Sequence, residues 1–467
     1  MLDGPVRAVG SKGVNRLNVI VIMLDSLRQD HVSAYGWPEC PLKTTHLDAF
    51  AAEAVVFDNC YPEGLPTIPV RTDLMTGLSS LTNRTWQPLV PTDMTLTQIL
   101  RRTGYLTAMV ADTYHYFGWD MNFHRQCEVF HWIRGAEYDG TKAGPLRRLK
   151  LQDHITDRMP KEWLRLVESA LRNLEDRREP EDFPCWQTVD RAIQVMDGAR
   201  RDGRPLYLWI DTFQTHEPWC PPARFDTFGD PAYRGPKIVL PPGGPANAWG
   251  TPDQIARIRS LYAGEVAYVD HCVGRLLKGM REMGYLDDSI LVALADHGHP
   301  LSDHGKFLKG PDRLYNELLK VPFMVRLPKG ERGGRRVTDL ATFPDLAPTL
   351  LDLTGLGANA RCMSGHSLRP IIEGTGRSAY PVTISGFFGS TDRCIRNERY
   401  SYILRPAGQK DELYDLASDP KEQNNLIDEQ RDVAEALFHQ VGVVYLGHET
   451  TRRGVQGSFE VSRTALA

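Results

Sequence analysis

The sequence predicts an α/β protein: a large mixed, mostly parallel β-sheet sandwiched by helices, followed by a smaller C-terminal α+β domain. Three observations predict it. First, NVIVIML at 18–24, YLTAMVA at 105–111, PLYLWIDTF at 205–213 and SILVALA at 289–295 are continuous apolar runs rich in β-branched and aromatic residues. Such runs suit strands buried on both faces of a parallel sheet. Second, helical patterns separate them, which is the alternation of an α/β fold. Third, after about residue 375 the texture changes to short strands, VTIS, RCIRN and YSYILR. The boundary is therefore placed there, with 1–375 as the large domain and 376–467 as the small one.

The individual elements follow in order. Residues 45–54 read as a helix with Leu47, Phe50, Ala51 and Ala54 on one face, and a short run, AVVFDN, leads on from it. Thr95 caps a helix over 95–103 that Gly104 ends. Residues 134–183 are charged, with a basic LRRLK run and a helix expected over 161–176. They read as a surface insertion, a lid or an oligomer contact. A helix spans 186–202. Residues 222–251 are rich in Pro and Gly and read as a long irregular loop. A long helix fills 252–283, with Tyr262, Val266, Val269, Val273 and Leu277 on one face. VPFMVRL at 321–327 is a further strand, 346–355 a helix ended by Gly355, and 430–441 an amphipathic helix.

Composition excludes several function classes. The chain has 467 residues, enough for a large core, and a net charge of −4, which gives no pull towards nucleic acid or an anionic membrane. No run reaches the roughly 18 apolar residues of a membrane span. The opening MLDGPVRAVGSKGVNRL lacks the apolar centre of a signal peptide, so a cytoplasmic location is expected. Eight Cys are scattered at 40, 60, 127, 185, 220, 272, 362 and 394 without a C-x-x-C pair. Free thiols in a reducing compartment are expected.

The chemistry concentrates around residues 64–77, GLPTIPVRTDLMTG. After Pro69 the pattern turns helical and stops at Gly77, and proline suits the first turn of a helix. Thr67 is thereby placed just ahead of a helix N-terminus, where free N–H groups and the dipole favour anions. Arg71, one turn in, can reach back with its planar donor fork. An ordinary hydroxyl cap with a surface arginine is the plain alternative. The four buried runs end in Asp25, in Asp112, Thr113 and His115, in Asp211 and His216, and in Asp296 and His297. In open α/β sheets ligands collect at the carboxyl ends of strands. Carboxylates with an imidazole suit a divalent cation such as Mn²⁺, Zn²⁺, Mg²⁺ or Ca²⁺, which would help ionise an otherwise poor Thr67 nucleophile. Asp211 is ambiguous: it either faces away or joins a second cation with His216. A second set of three clustered ligands is not visible, so one cation is expected.

Six segments, in order, resemble the sulfatase family of the alkaline phosphatase superfamily. They are VIMLDSLRQDHVSAYG, TTHLDAFAAEAVVFDNCYPEGLPTIPVR, LYAGEVAYVDHCVGRLL, ALADHGHPLSDHGKFLKG, DLAPTLLDLTG and ELYDLASDPKEQNNL. The resemblance implies an alkaline-phosphatase-like fold. It places Asp25, Asp296 and His297 at the metal, Thr67 at the nucleophile position of the C-x-P-x-R motif, and Arg71 as the residue that orients that loop. His216 and Lys309 would touch the leaving group or the non-bridging oxygens. Thr113, His115 and His304 would bind substrate.

The departures from the family pattern narrow the chemistry. Sulfatases carry Cys or Ser at the nucleophile, which is oxidised to formylglycine; Thr67 has a methyl on its β-carbon and cannot give that aldehyde. Ser26 stands where a second Asp is usual, and Thr113 about where a Lys is usual. A directly esterified Thr is similar to the phosphodiesterases and phosphonate monoester hydrolases of the superfamily. The expected activity is hydrolysis of such esters through a covalent Thr67 intermediate. A sulfatase lacking formylglycine and a non-catalytic binder of anionic esters are the alternatives. The partner expected is a small anionic ester, with no nucleic acid and no membrane, and homo-oligomerisation stays open.

Overall fold

The computed structural model describes residues 16–36, 42–81 and 84–442. Cys40, His448 and the 443–467 end of the small domain lie outside them. Among the described residues fifteen strands are present in this order: β1 (Asn18–Leu24), β2 (Val55–Tyr61), β3 (Gly64–Leu65), β4 (Leu106–Ala111), β5 (Val129–Trp132), β6 (Leu206–Thr212), β7 (Gly244–Pro245), β8 (Ser289–Leu294), β9 (Lys306–Phe307), β10 (Phe323–Arg326), β11 (Arg335–Thr342), β12 (Thr383–Phe387), β13 (Arg393–Arg396), β14 (Tyr400–Leu404) and β15 (Glu412–Asp415).

Eight of them build one sheet in the order β11-β2-β10-β8-β1-β6-β4-β5. β10 runs antiparallel to both neighbours, and every other pair is parallel. The sheet is mixed and mostly parallel, with helices packed on it. β1, β4, β6 and β8 are buried at every residue. Successive side chains of a strand point to opposite faces, so complete burial means that both faces are covered. Helix Pro184–Asp202 packs against β4, β6 and the long helix Pro252–Glu282. Helix Thr67–Thr76 packs against Leu346–Leu353 and Leu96–Arg102.

The register sets the site. Leu24 pairs with Thr212, Met23 with both Asp211 and Leu294, and Ala111 with Asp211. The carboxyl ends of β1, β4, β6 and β8 are therefore level, and Asp25, Asp112, Asp211 and Asp296 follow or close them. Tyr262 of the long helix holds the turn after β1: its hydroxyl accepts from the Arg28 N–H at 2.9 Å and donates to the Ser26 carbonyl at 2.8 Å. That helix starts at a capping box between Thr251 and Gln254 with Pro252 behind the cap.

The C-terminal strands form a second sheet, β15-β14-β13-β12-β3. Its own core gathers Val382, Ile384, Ile395, Leu413, Ile427 and Leu437. Its last member comes from the large domain: β12 pairs in parallel with β3, Gly386 opposite Gly64 and Phe387 opposite Leu65. Residues 134–183 carry the helix Lys161–Leu174, whose Val167, Ala170, Leu171 and Leu174 pack on Val239 and Leu240 from the Pro- and Gly-rich loop. This segment is more than surface, because its Glu137 is 7% exposed and points inward. All seven cysteines among the described residues are free. No helix among the described residues is long and apolar enough to cross a membrane.

Candidate functional site

Thr67 is the first residue of helix Thr67–Thr76, not the residue ahead of it; Pro66 takes the cap position. Every residue of this helix is buried, so its polar groups have to be satisfied internally. Thr72 and Thr76 hydroxyls donate to carbonyls one turn back. Asp73 accepts from the N–H groups of Gly64 at 3.1 Å and Ser80 at 2.6 Å, which pins the helix to the strand before it. A side chain at Gly64 would meet Ser80 Oγ at 2.0 Å and the Pro69 and Ser80 β-carbons at 3.3 Å, so the strand approaches closely here.

Arg71 is the hub of the site and is fully buried. Its Nη2 donates to Asp25 Oδ2 at 2.8 Å and to Asp211 Oδ1 at 2.9 Å. Its Nε donates to Asp211 Oδ2 at 3.0 Å and to the Tyr116 hydroxyl at 2.9 Å. Its Nη1 donates to Asp296 Oδ2 at 2.5 Å and to the Thr67 carbonyl at 3.2 Å. The guanidinium thus fixes the Thr67 turn to three strand ends at once. Asp211 is fixed in turn by the hydroxyls of Tyr116 and Thr113, the latter at 2.6 Å, while Trp209 Nε1 donates to Tyr116 at 3.0 Å. Three carboxylates against one guanidinium leave negative charge uncompensated in a buried place, which is costly unless a cation or a proton neutralises it.

Asp25, Asp296 and His297 offer ligand atoms within 4.8 Å of one another. His297 Nδ1 stands 2.8 Å from the Gly298 carbonyl, which holds the proton there and leaves Nε2 a bare acceptor. Nε2 is buried with no hydrogen-bond partner among the described residues and lies 3.4 Å from Asp296 Oδ2. Burial, then the neighbouring Asp296, pushes the Asp25 carboxyl well above the usual range. Burial works the same way on Asp296, but His297 and Arg71 outweigh it and hold that carboxyl low. Burial lowers His297 to about 4, so its ring is neutral at neutral pH, as a metal ligand has to be. Two carboxylates, a lone pair without a partner and a charge deficit fit a divalent cation.

His216 and Lys309 stand together, Nζ 2.5 Å from Nε2. The other ring nitrogen of His216 is 2.9 Å from the Glu217 carbonyl. Burial, Lys309 and His299 push His216 well below its ordinary value, so the ring is neutral. Phe213 stacks on His216 with centroids 4.0 Å apart. His115 continues this wall, 5.6 Å from Phe213 and edge-on to Trp86 at 5.0 Å, and Phe388 tilts against Trp86. Phe388 is held there by its N–H, which donates to the Leu65 carbonyl at 3.0 Å, two residues before Thr67.

The structure thus gathers Asp25, Thr67, Arg71, Asp296 and His297, sets His216 against Lys309, and ranges His115 along the same wall. It places two expected substrate contacts elsewhere. Thr113 is fully buried and its hydroxyl serves Asp211. His304 has both ring nitrogens engaged, with Glu317 Oε1 at 2.7 Å and the Glu422 carbonyl at 2.9 Å, and it stacks on Tyr315. Asp211 belongs to the Arg71 clamp and to no ligand group. A second group of three that the sequence does not reveal is present: Glu137, His216 and Glu217, again with ligand atoms within 4.8 Å. His216 and Glu217 are adjacent in the chain, but Glu137 lies in the charged segment and carries no signal of its own.

Residues 17–356 match the model of the family described as Sulfatase, and 302–442 match that of the N-sulphoglucosamine sulphohydrolase C-terminal region. The multifunctional alkaline phosphatase superfamily protein PehA of Trinickia caryophylli is 24% identical, over 88% of this chain and 91% of its own. An arylsulfatase of Clostridium perfringens is also 24% identical, over 88% and 90%. Among solved structures, the phosphonate monoester hydrolase of Agrobacterium radiobacter superposes with a TM-score of 0.70 at 20% identity, over 93% of this chain and 96% of its own. A protein in complex with its substrate D-glucosamine-2-N,6-O-disulfate gives 0.70 at 20% identity, over 95% and 100%. These structural likenesses show the shared fold.

Proposed function

The chain belongs to the sulfatase family, hydrolases of ester bonds, and on that premise we propose that it cleaves phosphodiesters or phosphonate monoesters through a covalent Thr67 ester. The observation that carries the reading is Thr67 itself, at the head of a buried helix and tied by Arg71 to Asp25 and Asp296. Its β-methyl excludes the aldehyde route by which a formylglycine hydrate expels sulfate. A Thr ester has to be cleaved by water at the central atom, which is workable at phosphorus.

Asp25, Asp296 and His297 would hold the cation, one of Mn²⁺, Zn²⁺, Ca²⁺ or Mg²⁺, which when bound polarises the ester and lowers the pKa of the Thr67 hydroxyl. Thr67 Oγ1 gives its proton up to solvent and attacks phosphorus from the helix N-terminus. Arg71 keeps the turn and the acids in register. The bond to the leaving oxygen breaks, and that oxygen takes its proton from the Lys309–His216 pair. Lys309 also faces the charge that builds on the non-bridging oxygens. Water then hydrolyses the Thr67 ester. The test is the ratio of kcat/KM for matched p-nitrophenyl phosphonate and sulfate esters. A large excess for the phosphonate is expected, and a clear preference for the sulfate overturns the reading. Hydrolysis of sulfate esters without formylglycine is the second reading, favoured by the match of 302–442 to a sulphohydrolase C-terminal region.

A further inference from the structure

We propose that Glu137, His216 and Glu217 form a second divalent-cation site, separate from the Asp25, Asp296 and His297 group, with His299 as its fourth ligand. Three parts of the chain build it. Glu137 comes from the 134–183 segment after β5, His216 and Glu217 from the loop after β6, and His299 from the loop after β8. The first three are buried and offer ligand atoms within 4.8 Å of one another.

The independent sign of a ligand is a set of buried polar atoms that the protein leaves unpaired. Glu217 Oε2 has no hydrogen-bond partner among the described residues, and Glu217 is 4% exposed. His216 Nδ1 stands 3.1 Å from that oxygen but is directed to the Glu217 carbonyl instead. His299 is fully buried with neither ring nitrogen paired, and its Nε2 is 3.6 Å from the same Oε2. An imidazole always carries at least one donor, so leaving both nitrogens unpaired in a dry place is costly. Lone pairs of a carboxylate and an imidazole that face one another at this distance are joined by a shared cation or by a proton.

The surroundings are those of a supported ligand set. The Tyr114 hydroxyl donates to Glu137 Oε2 at 2.8 Å, which orients that carboxylate. Phe213 lies on His216, and Trp219 stands edge-on to His299 at 4.9 Å, so aromatic rings enclose the place. Burial pushes the Glu217 carboxyl up to about 7; Lys309 pulls it back and Glu137 pushes it further. Binding at Nδ1 breaks its bond to the Glu217 carbonyl and moves the ring proton to Nε2, so the imidazole stays neutral. Two carboxylates with imidazoles select an ion of intermediate hardness, Zn²⁺ or Mn²⁺. Bonds of about 2.1 Å need donor atoms about 3.4 Å apart, within reach of carboxylate rotation.

The test counts ions and does not depend on turnover. Chelator-stripped full-length protein is titrated with Zn²⁺ by calorimetry, and the ions retained after gel filtration are measured by mass spectrometry. Two per chain are expected for the wild type, one for Glu137→Gln, one for Asp296→Asn and none for the double variant. One ion per chain in the wild type overturns the proposal, as do two ions retained by Glu137→Gln. Circular dichroism checks the fold of each variant, and should Glu137→Gln fail to fold, the wild-type count decides alone.

Discussion

At the scale of single residues, Arg71 and Asp211 account for how a buried charged site holds its shape. Arg71 donates to three acids, one carbonyl and the Tyr116 hydroxyl, and Asp211 receives five hydrogen bonds from four residues. Arg71 keeps Asp25 and Asp296 when Asp211 is removed, but leaving buried donors without their acceptor costs about 1–3 kcal/mol. Asp211→Ala is expected to lower stability by that amount in urea unfolding, and a loss under about 1 kcal/mol would remove Asp211 from the clamp. Asp296→Ala should cost several orders of magnitude in activity, and so should chelation; turnover by a metal-free preparation would contradict the ligand assignment. Thr67→Ala should be nearly inactive yet keep its cation, since Asp25, Asp296 and His297 remain, and metal content measured beside kcat separates the two. The Asp25, Asp296 and His297 group and Thr67 are legible in the sequence because each sits directly at the end of a recognisable element. Tyr116, Glu137 and His299 are not, since what they do depends on neighbours far away in the chain.

At the scale of elements, burial decides what could be read. β1, β4, β6 and β8 are interior strands, so both of their faces are apolar and the run is unbroken. β5 and β11 are the edges of the sheet, and their sequences, VFHW and RRVTDLAT, mix charge and polarity with apolar residues. No continuous run marks them. β3 is two residues long, too short for any pattern. The loop after β8 depends on one glycine. A side chain at Gly298 would come within 2.1 Å of the Glu317 carbonyl oxygen, and the Gly298 N–H donates to the Leu318 carbonyl at 2.7 Å. Backbone cannot yield as a side-chain tip can. Gly298→Ala should therefore cost about 1–3 kcal/mol and move His297. Weakened cation affinity together with a lowered melting temperature is expected, and unchanged affinity would show that the loop tolerates the shift.

At the scale of the molecule, His304 joins the two sheets' domains. It reaches from the loop after β8 to Glu317 and to the carbonyl of Glu422. Burial opposes its charge, but the Glu317 bond outweighs burial and raises the ring to about 9. A raised folded value means stability that is full below about 6.5 and is lost as pH rises through 9. The buried acids Glu63, Asp112 and Glu265, each pushed by burial to about 7, add to the decline at its lower end. The buried neutral histidines His216 and His297 act oppositely, but only below about 6.5. The melting temperature of the chelated protein should therefore fall between pH 6.5 and 9, and His304→Asn should flatten the upper part of that fall. A melting temperature that rises over this interval would refute the linkage.

The pairing of β3 with β12 has a consequence for how the chain can be divided. Gly64 and Leu65 complete a sheet whose other members arrive more than three hundred residues later. A break in the peptide near residue 375 would cut no strand of either sheet, because α-helical and turn residues flank that point and β12 begins at Thr383. The two pieces, expressed apart and mixed, should recognise each other as halves of a split protein. The N-terminal piece would present an unfilled strand edge directly before Thr67, and the returning C-terminal piece would close it. Recovery of hydrolysis on mixing would then report the association itself, in the manner of a complementation assay.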